Sequence, residues 1–498
     1  MTSDHDSAPP AEQFDFDLII IGGGSGNTII SRALSHLRIA LIDNGDHFGG
    51  TCLNAGCIPT KMFVHVADVA ADARDSAGLG LDVTGVSARW SEIRTRVFTR
   101  TDYLSEAGFR NRDMKIPNVT VFRESVRFES AHVLLGDSGR RISGTRVVIA
   151  AGSRPRQLET VHGPVTVGGR IHDSNSIMRI ETLPKSLVII GGGAVAVEFA
   201  HIFSALGVNV TQVVRGPHLL GQLDRAIAER FTELASTQWR VVTGATVTRL
   251  ADRSAVGLSA VGLSAVELSA VELSDGQTLF AEAVLVAIGR VPNSETLGLA
   301  AAGFDLHADG RLSVDSQQRV LVSGTALEGF FGLGDVSSPW QLKHVANHEA
   351  RIVQHNLLNP TQLIGGEPGP VPAAIFSRPQ VAYFGLTAEQ APDAVAISRD
   401  YSSTAWGWSL EDTTSFCRLV VAADTGLILG AHIIGPEASI LIQPLVLAAS
   451  QGLSVMGLAR SMYWPHPAAS EVIENALLDA ESAVLARANT AHEESGPR

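Results

Sequence analysis

Cysteine is scarce in this chain: three among 498 residues, at positions 52, 57 and 417. Three is too few for the disulfide framework of a small secreted protein, and one is left over, so a reducing cytoplasm is expected. A zinc site needs about four ligands, usually with closely spaced cysteines in pairs, and there is no second pair. No metal site is expected. Positive charge is also short. Lys and Arg number 38 against 51 Asp and Glu, a net −13, which disfavours nucleic acid and anionic membranes as partners. Residues 1–14 are polar and acidic and lack the basic start and apolar run of a signal peptide; a disordered tail is expected there. No apolar run reaches the ~20 residues that span a bilayer.

Apolar residues make up 45% of the chain, enough for sizeable cores, and the length implies about three domains. Two of the three cysteines stand together. Gly49 to Met62 reads Gly-Gly-Thr-Cys-Leu-Asn-Ala-Gly-Cys-Ile-Pro-Thr-Lys-Met. Cys52 and Cys57 are close enough to close a small ring that thiolate exchange can open. Pro59 suits the first turn of a helix, and a thiolate near a helix N-terminus is favoured by unpaired N–H groups and the macrodipole. The pair is read as a redox-active disulfide, with Lys61 one helical turn further on. The alternatives are a structural disulfide for the cysteines and a solvated charge for Lys61.

Upstream, Phe16 to Ile21 is a mostly apolar run ending in Gly22-Gly23-Gly24-Ser25-Gly26-Asn27. Apolar periodicity resumes through Leu34, and a second run, Arg38 to Ile42, ends at Asp43. Strand, glycine turn, helix, strand and terminal acid form a dinucleotide fingerprint. Gly22 permits the tight turn, Gly24 lets the backbone approach a pyrophosphate, and Asp43 can accept from ribose hydroxyls. Asn27 stands where a third glycine is usual, so different helix packing is expected. A second fingerprint follows: strand Leu187 to Ile190, turn Gly191-Gly192-Gly193-Ala194-Val195-Ala196, helix Glu198 to Leu206, strand Val208 to Val214 and then Arg215. An acid there would repel a 2′-phosphate, whereas Arg215 can pair with one, which favours NADPH over NADH.

Between the halves, a helix is expected around Trp90 to Phe109, then short strands and a closing strand, Arg146 to Ala151. Ser254 to Ser274 repeats Ser-Ala-Val-Gly/Glu-Leu four times. A period of five suits neither helix nor strand, so a functionless tandem expansion of one hairpin is expected. Phe330 to Leu333 leads into Gly334-Asp335, a carboxylate placed for a ribose or polyol hydroxyl. The Gly/Pro-rich stretch 365–372 reads as a domain boundary, followed by an α+β domain. There, Trp464-Pro465-His466-Pro467 precedes Glu471, a carboxylate able to fix the histidine's tautomer. Two nucleotide sites and a dithiol in one chain imply electrons passing from one to the next.

In order, these motifs resemble the pyridine nucleotide–disulfide oxidoreductases over about residues 15–490. Gly22 to Asn27, Cys57 to Val64, Trp340 to Arg351, Trp406-Gly407-Trp408, Glu411 to Thr414 and Leu441 to Leu445 are most similar to its mycothione reductase branch. The resemblance implies an α/β fold with two Rossmann-like dinucleotide-binding domains and a C-terminal α+β dimerisation domain. Residues 15–155 with 290–365 would bind FAD, 156–289 NAD(P)H, and 370–498 the second subunit of a homodimer. Cofactor contacts would fall to Gly22, Gly24, Gly26, Asp43, Gly50, Thr51, Lys61, Gly152 and Asp335, and to Gly191, Gly193, Arg215, Gly289 and Arg290. Cys57 would face the flavin and Cys52 attack the substrate disulfide. Lys61 would sit by the flavin and pair with Glu198. His466, oriented by Glu471, would reach across the dimer to exchange protons at Cys52. The expected activity is cytoplasmic, NADPH-dependent reduction of a small disulfide, most simply mycothione, with NADH as the other possible coenzyme.

Three departures stand out: Ala194 where relatives carry an aromatic gate over the flavin, Gly221 where a second arginine would meet the 2′-phosphate, and Asp43 in place of Glu. A dihydrolipoamide dehydrogenase is the same-fold alternative, and a non-enzymatic flavin-binding module the alternative from another class. Mercuric reductases carry cysteines near the C-terminus, which this chain lacks.

Overall fold

The computed structural model describes residues 14–253, 268–366 and 369–494. The expected N-terminal tail, but for residue 14, and the first copies of the pentapeptide repeat lie outside the described residues. The chain divides into two compact units: Met1–Cys57, Thr99–Arg154 and Arg290–Glu367 form one, and Ile58–Phe98, Pro155–Gly289 and Pro368–Arg498 the other.

The first unit is built on a sheet ordered Arg319–Val322, Thr325–Gly332, Arg141–Ile149, Phe16–Ile21, Ile39–Ile42, Val119–Phe122. The pairs around Phe16–Ile21 are parallel, so helices or loops cover both faces and the strands read as continuous apolar runs. Leu18, Ile19, Ile20, Ile39, Leu41 and Val148 are wholly buried, each stabilising by about 1.5–3 kcal/mol. The chain leaves Phe16–Ile21 toward Ile39–Ile42 on one side, while Arg141–Ile149 pairs on the other. That switch point opens a crevice beyond the strand ends, where the first glycine turn lies.

The helix expected after that turn is not continuous. Two 3-10 turns, Gly26–Ile29 and Arg32–Leu34, take its place. Side chains claim the carbonyls that an α-helix would use: Arg112 donates to Asn27 O (3.1 Å) and Gln354 to Ile29 O (2.7 Å). Thr28 turns its hydroxyl back on Ser25 O (2.6 Å), and β-branched Thr28, Ile29 and Ile30 favour the tighter path.

The second unit carries a parallel sheet ordered Ile171–His172, Ala283–Val286, Ser186–Ile190, Asn209–Val213, Arg240–Val242. Its glycine turn runs straight into an α-helix, Ala194–Ala205 (α4). The short helix Gly50–Asn54 is α1, Cys57–Asp75 is α2 and Trp90–Met114 is α3. Residues 58–98, expected with the FAD-binding segments, pack in this second unit. Phe63 of α2 stacks on Trp90 of α3 at 5.2 Å, Trp90 meets Phe203 of α4 at 5.9 Å, and the Trp90 indole donates to Ile180 O (2.9 Å). An aromatic cluster, not chain order, assigns the segment.

An antiparallel hairpin pairs Val247–Arg253 with Leu268–Leu273, Arg253 opposite Leu268, and the fourth repeat falls in the second of these strands. The C-terminal part forms a five-stranded antiparallel sheet ordered Ala373–Ile375, Val381–Gly385, Ile428–Ile434, Phe416–Val421, Val395–Asp400, with helices Ala438–Ser450 and Glu471–Glu494 against it. Cys417 is wholly buried there, and burial pushes its thiol up to about 12, which leaves it unreactive.

Candidate active site

Cys52 lies on α1 and Cys57 opens α2, with no disulfide between them; Cys52 is half-buried and Cys57 exposed. The loop before them is held by Asn54, whose amide donates to the carbonyls of His47, Phe48 and Gly50 at 3.0–3.1 Å. A hydrogen bond to Cys57 pushes the Cys52 thiol far above its ordinary range, with burial and repulsion from Cys57 adding and Lys343 opposing. At neutral pH Cys52 therefore keeps its proton unless a base removes it.

The dinucleotide cradle beside this loop fits FAD. Gly22 has φ +117°, and a Cβ on it would lie 2.2 Å from Ala150 O. A Cβ on Gly50 would lie 2.7 Å from the Gly24 Cα, so two glycine backbones close on each other without side chains. A diphosphate can approach such a surface. Gly26 does the close packing: a Cβ there would meet Ala150 Cβ at 2.7 Å. Asp43 is buried, accepts from Gly45 N–H (2.8 Å), and burial raises its carboxyl above the usual range. Lys343, the first residue of the helix Lys343–Leu358, donates to Ser25 Oγ at 2.8 Å. Ser153 donates to Asp335 (2.6 Å) and accepts from Arg290 Nε (2.8 Å), so Asp335 and Arg290 belong to one network. Glu349 accepts from Gly334 N–H (2.7 Å). Gly152, at φ +69°, passes its carbonyl to Asn293 N–H (3.0 Å). Thr51 is the residue before Cys52 on α1. Asn54, Ser153, Lys343 and Glu349 escaped the sequence reading, although Asn54 lies within Gly49 to Met62 and Lys343 and Glu349 within Trp340 to Arg351.

The second unit repeats the cradle. Gly191 has φ +137° and its Cβ would lie 2.2 Å from Ala287 O. Gly193 precedes α4 with no side-chain cap, leaving first-turn N–H groups free for a diphosphate. Ala194 is the first residue of α4. Gly191 N–H bonds Val213 O (2.9 Å), as Gly22 N–H bonds Ile42 O (2.8 Å). Val214 thus stands where Asp43 stands in the other half, with exposed Arg215 next to it. Gly289, at φ +110°, ends this part of the unit.

In the same unit, Lys61 Nζ meets both oxygens of Glu198, at 2.7 and 2.6 Å, and sits 4.7 Å from the Phe376 ring centre. Glu198 is buried and also accepts from Phe376 N–H (2.9 Å). Three hydrogen bonds from two donors satisfy this carboxylate, which makes the pair a rigid junction. One helical turn along α4, buried His201 bonds Asp68 at 2.8 Å, a second tie between α2 and α4. His466 Nδ1 bonds Glu471 Oε1 at 2.6 Å, and Ala468 N–H bonds the other oxygen at 3.1 Å. The carboxylate fixes the ring, leaving exposed Nε2 for proton exchange.

Residues 16–350 match the family model described as pyridine nucleotide-disulphide oxidoreductase, and 371–477 match its dimerisation domain. This chain belongs to the pyridine nucleotide-disulphide oxidoreductases. It is an enzyme and a flavoprotein that uses FAD and NAD(P)H, with a C-terminal dimerisation domain. It is 45% identical to the mycothione reductase of Mycobacterium tuberculosis, over 93% of this chain and 99% of that protein. It is 30% identical to the dihydrolipoyl dehydrogenase of Bacillus subtilis, over 95% and 99%. The HOCl-induced flavoprotein disulfide reductase RclA from Escherichia coli shares the fold, with a TM-score of 0.77 at 24% identity, over 94% and 99% of the two chains. No described helix is long and apolar enough to cross a membrane.

Proposed function

We propose that this chain is a cytoplasmic, NADPH-dependent reductase of a low-molecular-weight disulfide, mycothione, working as a homodimer. The observation that carries the reading is the 45% identity to a mycothione reductase across nearly the whole of both chains. The glycine cradles, the dithiol and the His466–Glu471 pair supply the parts such a reaction needs.

When bound, FAD and the pyridine nucleotide supply the two electrons that keep Cys52 and Cys57 reduced. The remaining steps belong to the chain's own residues. His466 takes the Cys52 proton, and the Cys52 thiolate attacks one sulfur of the substrate disulfide. A mixed disulfide forms, and the departing thiolate takes its proton back from His466. Cys57 then attacks the Cys52 sulfur, closing the Cys52–Cys57 disulfide and releasing the second thiol. Glu471 holds His466 in the tautomer that can do both. Lys61, anchored by Glu198, would offer its positive charge to the flavin when that is bound. The dimerisation domain contains His466 and Glu471, which supports the second subunit as their source. Val214 with Arg215 in place of an acid supports NADPH.

Turnover of mycothione and of lipoamide, each with NADPH and NADH, tests the proposal. Mycothione with NADPH is expected to be fastest. Faster oxidation of dihydrolipoamide with NAD⁺ would replace this reading with a dihydrolipoamide dehydrogenase.

A further inference from the structure

A groove of about 590 Å³ runs along the second unit, well inside the range of small-molecule sites. Its floor is apolar: Val66 and Ala70 of α2, Ile93 of α3, and Ala205 and Leu206 at the end of α4. Its rim is basic. Arg74, Arg89, Arg96 and His65 face it against one acid, Glu92. Arg89 is paired with Glu92 at 3.1 Å. Arg74 and Arg96 have no ion pair among the described residues. The other acids of α2 are spoken for: Asp68 holds His201, while Asp72 and Asp75 hold Arg378. In a chain with net charge −13, this rim of three arginines and one histidine against one acid carries local positive charge above an apolar floor.

We propose that this groove binds a small amphipathic carboxylate of the fatty-acid type, its chain on the apolar floor and its carboxylate between Arg74 and Arg96. The apolar floor rules out a bare inorganic anion as the best occupant, since much of the site would then stay wet. The basic rim favours a carboxylate over a neutral lipid, because an anionic head group gains charge-assisted hydrogen bonds that a neutral one lacks. None of the lining residues has been given a catalytic or cofactor role here. The groove does touch α2 and α4, the helices joined by Lys61–Glu198 and His201–Asp68, so an occupant braces both.

The full-length, FAD-loaded protein is titrated with dodecanoate below its micelle concentration, and binding is read by isothermal titration calorimetry and by the unfolding midpoint. Saturable binding near one per chain is expected, with a midpoint that rises with ligand. Affinity should fall with added salt. Dodecanol should bind at least about tenfold more weakly. Each exposed charge contributes modestly, so Arg74→Glu with Arg96→Glu is expected to weaken dodecanoate about tenfold or more while basal disulfide reduction stays intact. Ala70→Trp, which fills the floor, should abolish binding. Equal affinity for dodecanol, or no change in the charge-reversed variant, overturns the proposal. So does an absence of binding together with an altered oligomeric state of Ala70→Trp, which would make the groove a contact between copies of this chain.

Discussion

The two glycine cradles differ most where the backbone dictates least. In both, a glycine at high positive φ leaves a strand, and a methyl on it would strike a carbonyl oxygen at 2.2 Å, of Ala150 in one and Ala287 in the other. In both, that glycine's N–H bonds the end of the neighbouring strand. Beyond this shared turn they separate. One continues into broken 3-10 turns and ends its second strand in a buried acid. The other continues into a regular helix and ends in Val214. The turn is a steric requirement common to any diphosphate, whereas the strand end is a choice about what lies at the ribose.

The largest effects should come from breaking either turn. Gly22→Ala is expected to leave almost no FAD on the purified chain, read from flavin absorbance. Gly191→Ala should keep the flavin and lose NADPH turnover, while a chemical reductant still reduces the dithiol. Loss of flavin from both variants would show that the cradles are not independent. Next in size is the dithiol. Cys52→Ser should lower disulfide reduction on the order of 10³-fold or more with flavin retained.

His466→Gln should cost about 10²-fold at neutral pH. The Cys52 thiol sits far above its ordinary range, so little thiolate exists at neutral pH without the base. Activity of the histidine variant should therefore climb steadily as pH rises through the alkaline range, in contrast to the unaltered enzyme. A variant profile parallel to the unaltered one would remove His466 from the proton path. The strand-end difference predicts a smaller effect. Arg215→Leu should raise the KM for NADPH about tenfold, equivalent to about 1.4 kcal/mol, and leave that for NADH unchanged. Smallest of all, deleting residues 254–263, the first two repeat copies, should leave activity and flavin content as they were. A large loss would give the expansion a function.

The legible parts of this molecule were those in which residue type is forced. Gly22 and Gly191 announce themselves because other residues collide with a carbonyl oxygen. The buried strands showed as apolar runs, and the Cys52–Cys57 spacing marked the dithiol. The helix after Gly26 was misjudged because its carbonyls are claimed by Arg112 and Gln354, distant residues that leave no periodic trace. The placement of residues 58–98 was hidden for a related reason. An apolar helix face says that α2 is buried but not which core receives it, and here Phe63 stacks on Trp90, which in turn meets Phe203. Asn54 and Ser153 act through bonds to loop carbonyls and to one remote carboxylate, and such bonds follow no motif. The Lys61–Glu198 pairing came from resemblance alone, since nothing local links positions 137 residues apart.

Glu198 also fixes an order of events during synthesis. Its first partner, Lys61, emerges long before it, but the Phe376 amide emerges 178 residues after it. At 5–20 residues per second the nascent chain spends roughly 9–36 s with this carboxylate short of its last donor. Over that interval Lys61 and water hold the carboxylate, and the junction closes only once the segment carrying Phe376 has been made.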